Sequence, residues 1–417
     1  MPSESEEVWR YSRIDELDLD AYAPATVAPG GSVAAVPSQV KRLLDVLGPR
    51  SGLAVAYDGF PVHVELGPDA ASKGVELGWL SQSGDGANLL GSVAGSPDAL
   101  VELANAFLPD AALVRVPSKV SLAAPLVLVH WVSTTGLATF PRTVVRIGDG
   151  VQAGVVEVVA SEDVAALVVP VVELDVGDDA ELGYVGVQEL GPRVWQVAYQ
   201  ASRVGRYGHL RSFSVGLGGY YARLRTDSRL AGHGGTSDLM AAYFGEREQM
   251  HDFRTMQDHD APKTTSDLLF KGAVAGESRS VYSGLIRVRR GAVGTNAFQT
   301  NRNLVLSEGA HADSVPNLDI AENDVRCSHA SAVGPIDEDQ RYYLESRGIP
   351  PEVADRLIVL GFFDDIIARA PVRGLASYLR DAVAAKLPAG AFSAAGVAGA
   401  GVAGAGVAGA GASVAGA

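Results

Sequence analysis

A single cysteine, Cys327, occurs in 417 residues. One thiol excludes an internal disulfide framework, and it equally excludes a self-contained four-cysteine zinc or cluster site. Basic side chains are also in short supply: 34 Lys and Arg stand against 49 Asp and Glu, a formal charge of −15, and no Lys/Arg-rich run appears. That balance argues against an electrostatic footprint for nucleic acid and assigns the acidity to solubility. The opening Met1-Pro-Ser-Glu-Ser-Glu-Glu7 lacks the basic and apolar regions of a secretory signal, and no strongly apolar run of membrane-spanning length precedes residue 388. A cytoplasmic location without membrane attachment is expected. No Gly-x-x-x-x-Gly-Lys-Ser/Thr occurs, so the chain carries no P-loop of its own, and no Gly-x-Gly-x-x-Gly sits in a strand–helix setting.

Hydrophobic residues make up 47% of the chain, enough to bury a core. Residues 1–110 read as an acidic arm anchored by Trp9-Arg-Tyr11, a Pro/Gly/Ala/Ser-rich linker and a small mixed α+β region. Helices are expected from Gln39 to Leu47 and from Asp98 to Phe107, the latter with Asp98 or Ser96 as N-cap. Short strands are expected within 53–64 and 75–80.

From 111 to 334 the texture becomes runs of four to eight Val-, Ile- and Leu-rich residues, separated by Gly- and Asp-containing turns. Val172-Glu-Leu-Asp-Val176 alternates cleanly, and Ile286 and Val288 share a face opposite Arg287 and Arg289. Turn signals recur at Gly148-Asp-Gly150, Gly177-Asp-Asp-Ala180, Gly205-Arg-Tyr-Gly208, Gly291-Ala-Val293 and Gly309-Ala-His311, the last two 18 residues apart. Helical patterns do not separate most of these runs, so βαβ units are not expected, and a parallel β-helix fits better than a sandwich. Ser237 to Gly245 reads as either a strand pair or a helical excursion.

After Gly334 the period becomes helical, giving a third region at 335–387. Asp337 with Gln340 resembles a capping box, Gly348 and Pro350-Pro351 end that helix, and Pro351 opens the next. There Val353, Leu357 and Leu360 form one apolar stripe that must meet the β-core, a neighbouring helix or a partner, with Ile366 and Ile367 continuing the burial. Leu375, Leu379, Val383 and Leu387 repeat the pattern. Residues 388–417 hold no charge and three copies of Gly-Val-Ala-Gly-Ala; this composition buries too little area to offset backbone ordering, so a disordered tail is expected.

The residues with chemistry are few. If Asp324-Val-Arg-Cys-Ser-His329 is extended, Cys327 and His329 project from one face about 6.5–7 Å apart. Thiolate beside imidazole suits soft metals, iron–sulfur units or nucleophilic chemistry. A lone cysteine also serves commonly as a small buried hydrophobe. Two parallel side chains without a nucleophile elbow make a poor hydrolase dyad. His251 and His259 share a face, yet no third ligand is fixed by the sequence, so surface or core histidines are a better reading than a metal site. Asp319, Glu322 and Asp324 resemble an acid–base pair or the acidic cluster of a β-helical lyase, and an ordinary solvated edge accounts for them more cheaply.

Taken in order, Val281-Tyr-Ser-Gly-Leu-Ile-Arg-Val288, Gln299-Thr-Asn-Arg-Asn-Leu-Val-Leu-Ser307, Pro316-Asn-Leu-Asp-Ile320, Asp324–His329, Val333-Gly-Pro-Ile-Asp337 and Tyr343-Leu-Glu-Ser-Arg-Gly-Ile349 resemble the SufB/SufD family of iron–sulfur cluster assembly scaffolds. Trp9-Arg-Tyr11, Val114-Arg-Val-Pro117 and Val176–Leu182 extend the resemblance over nearly everything but the tail, and the SufD branch is the better match. The resemblance implies a mainly β protein: a right-handed parallel β-helix with a small α+β N-terminal region and C-terminal helices. It further implies a cytoplasmic, non-catalytic scaffold that pairs with SufB through the β-helix and binds the SufC ATPase through Val353, Leu357 and Leu360. Cys327 and His329 would then meet a nascent iron–sulfur cluster at the SufB interface, with the other ligands from SufB and no cofactor stably bound by this chain alone. Self-pairing into a homodimer is expected where SufB is absent. The alternatives are a β-helical polysaccharide lyase or hydrolase, and an inert structural subunit. One departure stands beside the site: the family's Gly-Ala-Thr-Val-Gly is Ala330-Ser-Ala-Val-Gly334 here, which removes a permissive glycine.

Overall fold

The computed structural model describes residues 2–28, 36–84 and 88–387, so the Gly/Ala/Val tail lies outside the described residues. The chain begins with β1 (Ala23–Pro24), α1 (Ser38–Leu47), the hairpin β2 (Gly52–Tyr57) and β3 (Phe60–Leu66), α2 (Pro68–Ser72), β4 (Glu76–Trp79) and α3 (Ala99–Ala106). It continues with β5 (Ala111–Val116), β6 (Leu126–Val132), β7 (Leu137–Thr139), β8 (Arg142–Ile147), β9 (Gln152–Ser161), β10 (Ala166–Val168) and β11 (Val171–Val176). Longer strands follow: β12 (Glu181–Glu189), β13 (Val194–Val204), β14 (His209–Gly216), β15 (Tyr221–Leu230), β16 (Thr236–Gly245) and β17 (Met250–His259). The last are β18 (Thr265–Val274), β19 (Arg279–Val288), β20 (Thr295–Val305), β21 (His311–Ile320) and β22 (Val325–Gly334), before α4 (Glu338–Ser346), α5 (Pro351–Ile367) and α6 (Ala376–Lys386). Ser237–Gly245 is thus one strand, with no helical excursion.

Successive long strands alternate between two sheets, ordered β21-β19-β17-β15-β13-β11-β8-β5-β4 and β22-β20-β18-β16-β14-β12-β9-β6-β2-β3. Each pairs in parallel with the strand one coil on, 26 residues later at Arg203↔Arg229 and 32 at Arg279↔His311. The result is a parallel β-solenoid of about eight turns. The first strands of both sheets lie before residue 111, since β2 pairs with β6 and β4 with β5. The 18-residue interval between Gly291 and Gly309 is not the repeat: those glycines lie at two different corners of one coil, before β20 and before β21. The true period shows in a column of left-handed residues at a single corner: Lys119, Gly150, Asp179, Tyr207, Gly234, Lys263 and Gly294, with φ between 53° and 76°.

Three layers of apolar burial follow from strand alternation. Inward residues such as Leu128, Val145, Leu174, Leu182 and Leu210 fill the lumen of the early coils. The outer face of the β22 sheet, with Val156, Val185, Phe213, Met240 and Phe244, is covered by α1, α5 and α6 through Val359, Phe363, Ile366, Leu375, Leu379 and Val383. The other outer face carries Val171, Trp195 and Tyr221 beneath α3 and the N-terminal arm, where Asp98 caps α3 by accepting from the Leu100 and Val101 amides.

The arm is held by a buried ion cluster. Trp9 stacks 3.9 Å from the Arg223 guanidinium, whose Nη1 lies 2.8 Å from Asp252, while Arg223 and Arg254 donate to the Val8 and Arg10 carbonyls. Burial alone would raise the Asp252 pKa, but the two guanidiniums and the Tyr221 hydroxyl outweigh it and hold the group ionised.

The lumen turns polar toward the later coils. His251 and His259, the histidines that share a face, both point into it. His259 bonds Thr264 and Ser266 at 2.8 and 2.9 Å. Burial, assisted by Lys386, lowers His251 to about 3, and burial lowers His259 to about 4. Neither belongs to a metal-ligating group among the described residues, and of the sequence readings it is the core one that the burial of both rings matches. Because both folded pKa values lie below the unfolded value of about 6.5, their contribution is complete above that pH and is lost as pH falls toward 4. Thermal midpoints measured from pH 7.5 to 4 should therefore fall below pH 6.5, before ordinary carboxylates titrate, by up to about 1.4 kcal/mol of stability per pH unit for each histidine. A flat profile across that window would contradict the burial of the neutral rings.

Candidate functional site

Cys327 lies on β22, the last strand of its sheet, and β21 is the last of the other. Among the described residues each has a hydrogen-bonded neighbour on one side only, which leaves two parallel ten-residue edges at the open end of the solenoid. Pro316 in β21, with no N–H to donate, sits where an edge tolerates it. Asn317–Gln340, the stretch where the sequence changes character, thus spans the end of the terminal coil and the start of α4.

Strand register fixes the direction of the side chains. Cys327 pairs with Ala297 and His329 with Gln299, both buried inward residues, so Cys327 and His329 face the mouth of the lumen and not the outer surface. The extended conformation expected for this stretch is present. Ala330–Gly334 continues as regular strand against Thr300–Leu304, so the missing glycine leaves the backbone path intact. Cys327 is half-buried against Ile286, Val288, Ala292 and Ala297. His329 is exposed, as are Leu318 and Ile320 on the facing strand.

This arrangement does not activate a nucleophile. Burial raises the Cys327 thiol above its usual pKa, and no cation opposes that shift. The hydrolase reading therefore lacks a thiolate. Two of the three acids are engaged with the preceding coil: Asp319 pairs across the strands with Arg287 at 3.0 Å, and Glu322 accepts from the Gly291 amide at 3.0 Å. These contacts fit the solvated-edge reading better than the acid–base and lyase readings.

As a ligand pair, Cys327 and His329 offer one soft sulfur and one borderline nitrogen, which fits two positions on iron or a cluster and leaves the rest open. Among the described residues no group of three or more His, Cys, Asp or Glu is placed to hold a metal. Any cluster at this edge is cargo that needs donors from elsewhere.

The second candidate surface lies on the C-terminal helices. Asp337 caps α4 by accepting from the Asp339 and Gln340 amides, and Arg341 clamps the buried Asp355 of α5 at 2.6 and 2.8 Å. The core face of α5 is Val359, Phe363, Ile366 and Ile367. Val353 and Leu357 are exposed at 42% and 47%, and Leu360 is only partly buried against the core. The three residues of the sequence stripe therefore do not share one environment, because α5 is apolar nearly all round. Sequence reasoning missed the adjacent aromatics: Tyr342 and Tyr343 of α4 stand exposed at 73% and 58%. A pair of tyrosines on a helix with no buried residue is the signal that marks them.

With this geometry in place, comparison with known proteins gives the class. Residues 130–362, more than half of the chain, match the family model described as SUF system FeS cluster assembly, SufBD core domain. The chain belongs to that family. Within it the chain is most like SufD: the SufD of Bacillus subtilis is 28% identical over 397 residues, covering 90% of this chain and 89% of its own length. Escherichia coli SufD is 33% identical over 180 residues, 43% of each chain. An iron–sulfur cluster assembly SufBD family protein of Mycobacterium tuberculosis is 40% identical over 209 residues, covering 48% of this chain and 53% of its own. The chain thus spans about half the length of its mycobacterial relatives. No helix among the described residues is long and apolar enough to cross a membrane.

The raised thiol pKa has a direct readout. Iodoacetamide should alkylate Cys327 more slowly in the native chain than in the guanidinium-unfolded chain at pH 8, with the native midpoint at higher pH. Faster native alkylation would instead reveal an activated thiolate.

Proposed function

We propose that this chain is the SufD-like scaffold subunit of a SufB–SufC–SufD complex, supporting assembly of iron–sulfur clusters for transfer to apo-proteins in the cytoplasm without performing catalysis itself. The observation that carries this reading is the placement of Cys327 and His329 on a terminal strand whose far edge is unpaired. Two donors at an edge become part of a full ligand set when a second β-edge docks beside them. In this reading the docking edge is SufB's, its residues complete the site, and the interface encloses a cluster that neither subunit retains alone. A homodimer through the same edge forms when SufB is absent.

The exposed apolar side chains of α5 supply the second half of the reading. Val353 and Leu357 meet the SufC ATPase, with Leu360 bridging to the core beneath. Conformational change in SufC then reaches the solenoid through Val359, Phe363 and Ile366, which pack on the strands of the β22 sheet. Thiolate ligation requires a proton to leave Cys327, so cluster capture releases protons and strengthens as pH rises toward the thiol pKa.

Co-purification with SufB and SufC, followed by anaerobic iron and sulfide analysis, tests the site. Cys327→Ala should lower cluster content severalfold with the complex intact; unchanged content would make the chain an inert structural subunit. For the helical surface, Val353→Asp with Leu357→Asp should abolish SufC capture in a pull-down. Because both side chains are exposed, the thermal midpoint should change little. Capture retained by the double variant would sink the assignment.

A further inference from the structure

Directly beneath His329 lies a side chain with no structural partner. Gln299 is 1% exposed, yet among the described residues neither its amide nitrogen nor its amide oxygen has a hydrogen-bond partner. Leaving a buried amide unsatisfied is costly to a fold. The other inward amides of β20 are satisfied: Asn303 accepts from Tyr243 at 2.6 Å and donates to Asn301 at 2.8 Å, and Asn301 donates to the Phe270 carbonyl at 3.2 Å. Earlier coils fill the Gln299 position with Leu239 and Leu268, so leucine suits the column and glutamine is not required for packing.

The opposite sheet also makes room for this amide. A Cβ built at Gly284 would lie 2.5 Å from Gln299 Nε2, so glycine there keeps the lumen open where the amide crosses it. The next residue of the column, on the open edge, is His329. Neighbours in parallel register present their side chains to the same face within contact distance.

Building on the ligand reading of His329, we propose that Gln299 is a positioning residue for that imidazole. Its amide oxygen accepts the N–H of one ring nitrogen and so selects the tautomer that presents the other nitrogen to iron. Metal-bound histidines commonly hold their second nitrogen in such a bond, and loss of the partner weakens metal affinity about 10- to 100-fold. No atom of the cluster touches Gln299; it acts through His329.

The test begins on the whole chain without iron. Ring nitrogen shifts of His329, identified by the signal lost in His329→Asn, should report one dominant neutral tautomer in the wild type and a mixture in Gln299→Leu. Gly284→Ala, which displaces the amide without removing it, should produce the same mixture. The thermal midpoint of Gln299→Leu should be equal or higher, since an unsatisfied amide is replaced by the residue of earlier coils. His329 signals identical in all three proteins would overturn the proposal, whatever the cluster measurements show. In the complex, Gln299→Leu should then lose iron about 10-fold or more. Should Cys327→Ala and His329→Asn leave iron unchanged, the ligand reading fails, while the tautomer result still decides the hydrogen bond.

Discussion

A parallel β-solenoid cannot satisfy its own last coil. Every strand passes its N–H and C=O groups to the strand one coil on, and at β21 and β22 that succession stops with a single neighbour each. Soluble proteins usually blunt such an edge with charges, bulges or short strands. Here both strands run ten residues, and β22 offers one charged side chain, Arg326, among small ones. Pro316 removes one donor, and Leu318 and Ile320 remain uncovered. The position of the ligand candidates Cys327 and His329 on an open edge follows from this one constraint.

The lumen behind that edge changes character in step with it. The early coils are filled mainly by Leu, Val and Ile, with one buried polar cluster in which Glu157 meets His130, Thr143 and Tyr184. From β17 onward inward positions also carry His251, Gln257, His259, Gln299, Asn301 and Asn303, of which His259, Asn301 and Asn303 are held by internal hydrogen bonds. A polar interior contributes less hydrophobic stabilisation and tolerates fewer substitutions, because each member must find a partner.

Much of this was legible in the sequence. Alternation in Val172–Val176 and in Ile286–Arg289 marks half-buried strands, and an extended Asp324–His329 segment fixes both ligand candidates on one face. The repeat was harder to read, for a definable reason. The corner residue that must adopt positive φ is glycine at positions 150, 234 and 294 but Lys119, Asp179, Tyr207 and Lys263 elsewhere. A non-glycine there costs on the order of 1 kcal/mol, which a stacked turn repays through bonds such as the Asp178 amide to the Asp149 carboxylate, so glycine spacing alone underreports the coils. For the histidine pair and the acidic trio, spacing shows only that residues share a face or a neighbourhood, while the fold shows that the histidines line the lumen and that Asp319 and Glu322 are engaged with the preceding coil.

The helical cover closes the reasoning about what is built to be incomplete. Lys271 on β18 donates to the Phe362 carbonyl and pairs with Asp365, so α5 is fixed to the sheet by charge as well as by Phe363 and Ile366. A helix anchored on one face needs nothing apolar on the other, and Glu or Lys at 353 and 357 would serve helix propensity and solubility better. Retaining Val353 and Leu357 there, on a chain whose net charge of −15 otherwise favours solubility, leaves a surface that covering would stabilise. The same physics governs both ends of the protein: an unpaired backbone edge and an unburied apolar helix face each lower their free energy by acquiring a neighbour. The first surface presents the two ligand candidates and the second sits on a helix packed against the sheet, so a partner at either place would act on the same β-core.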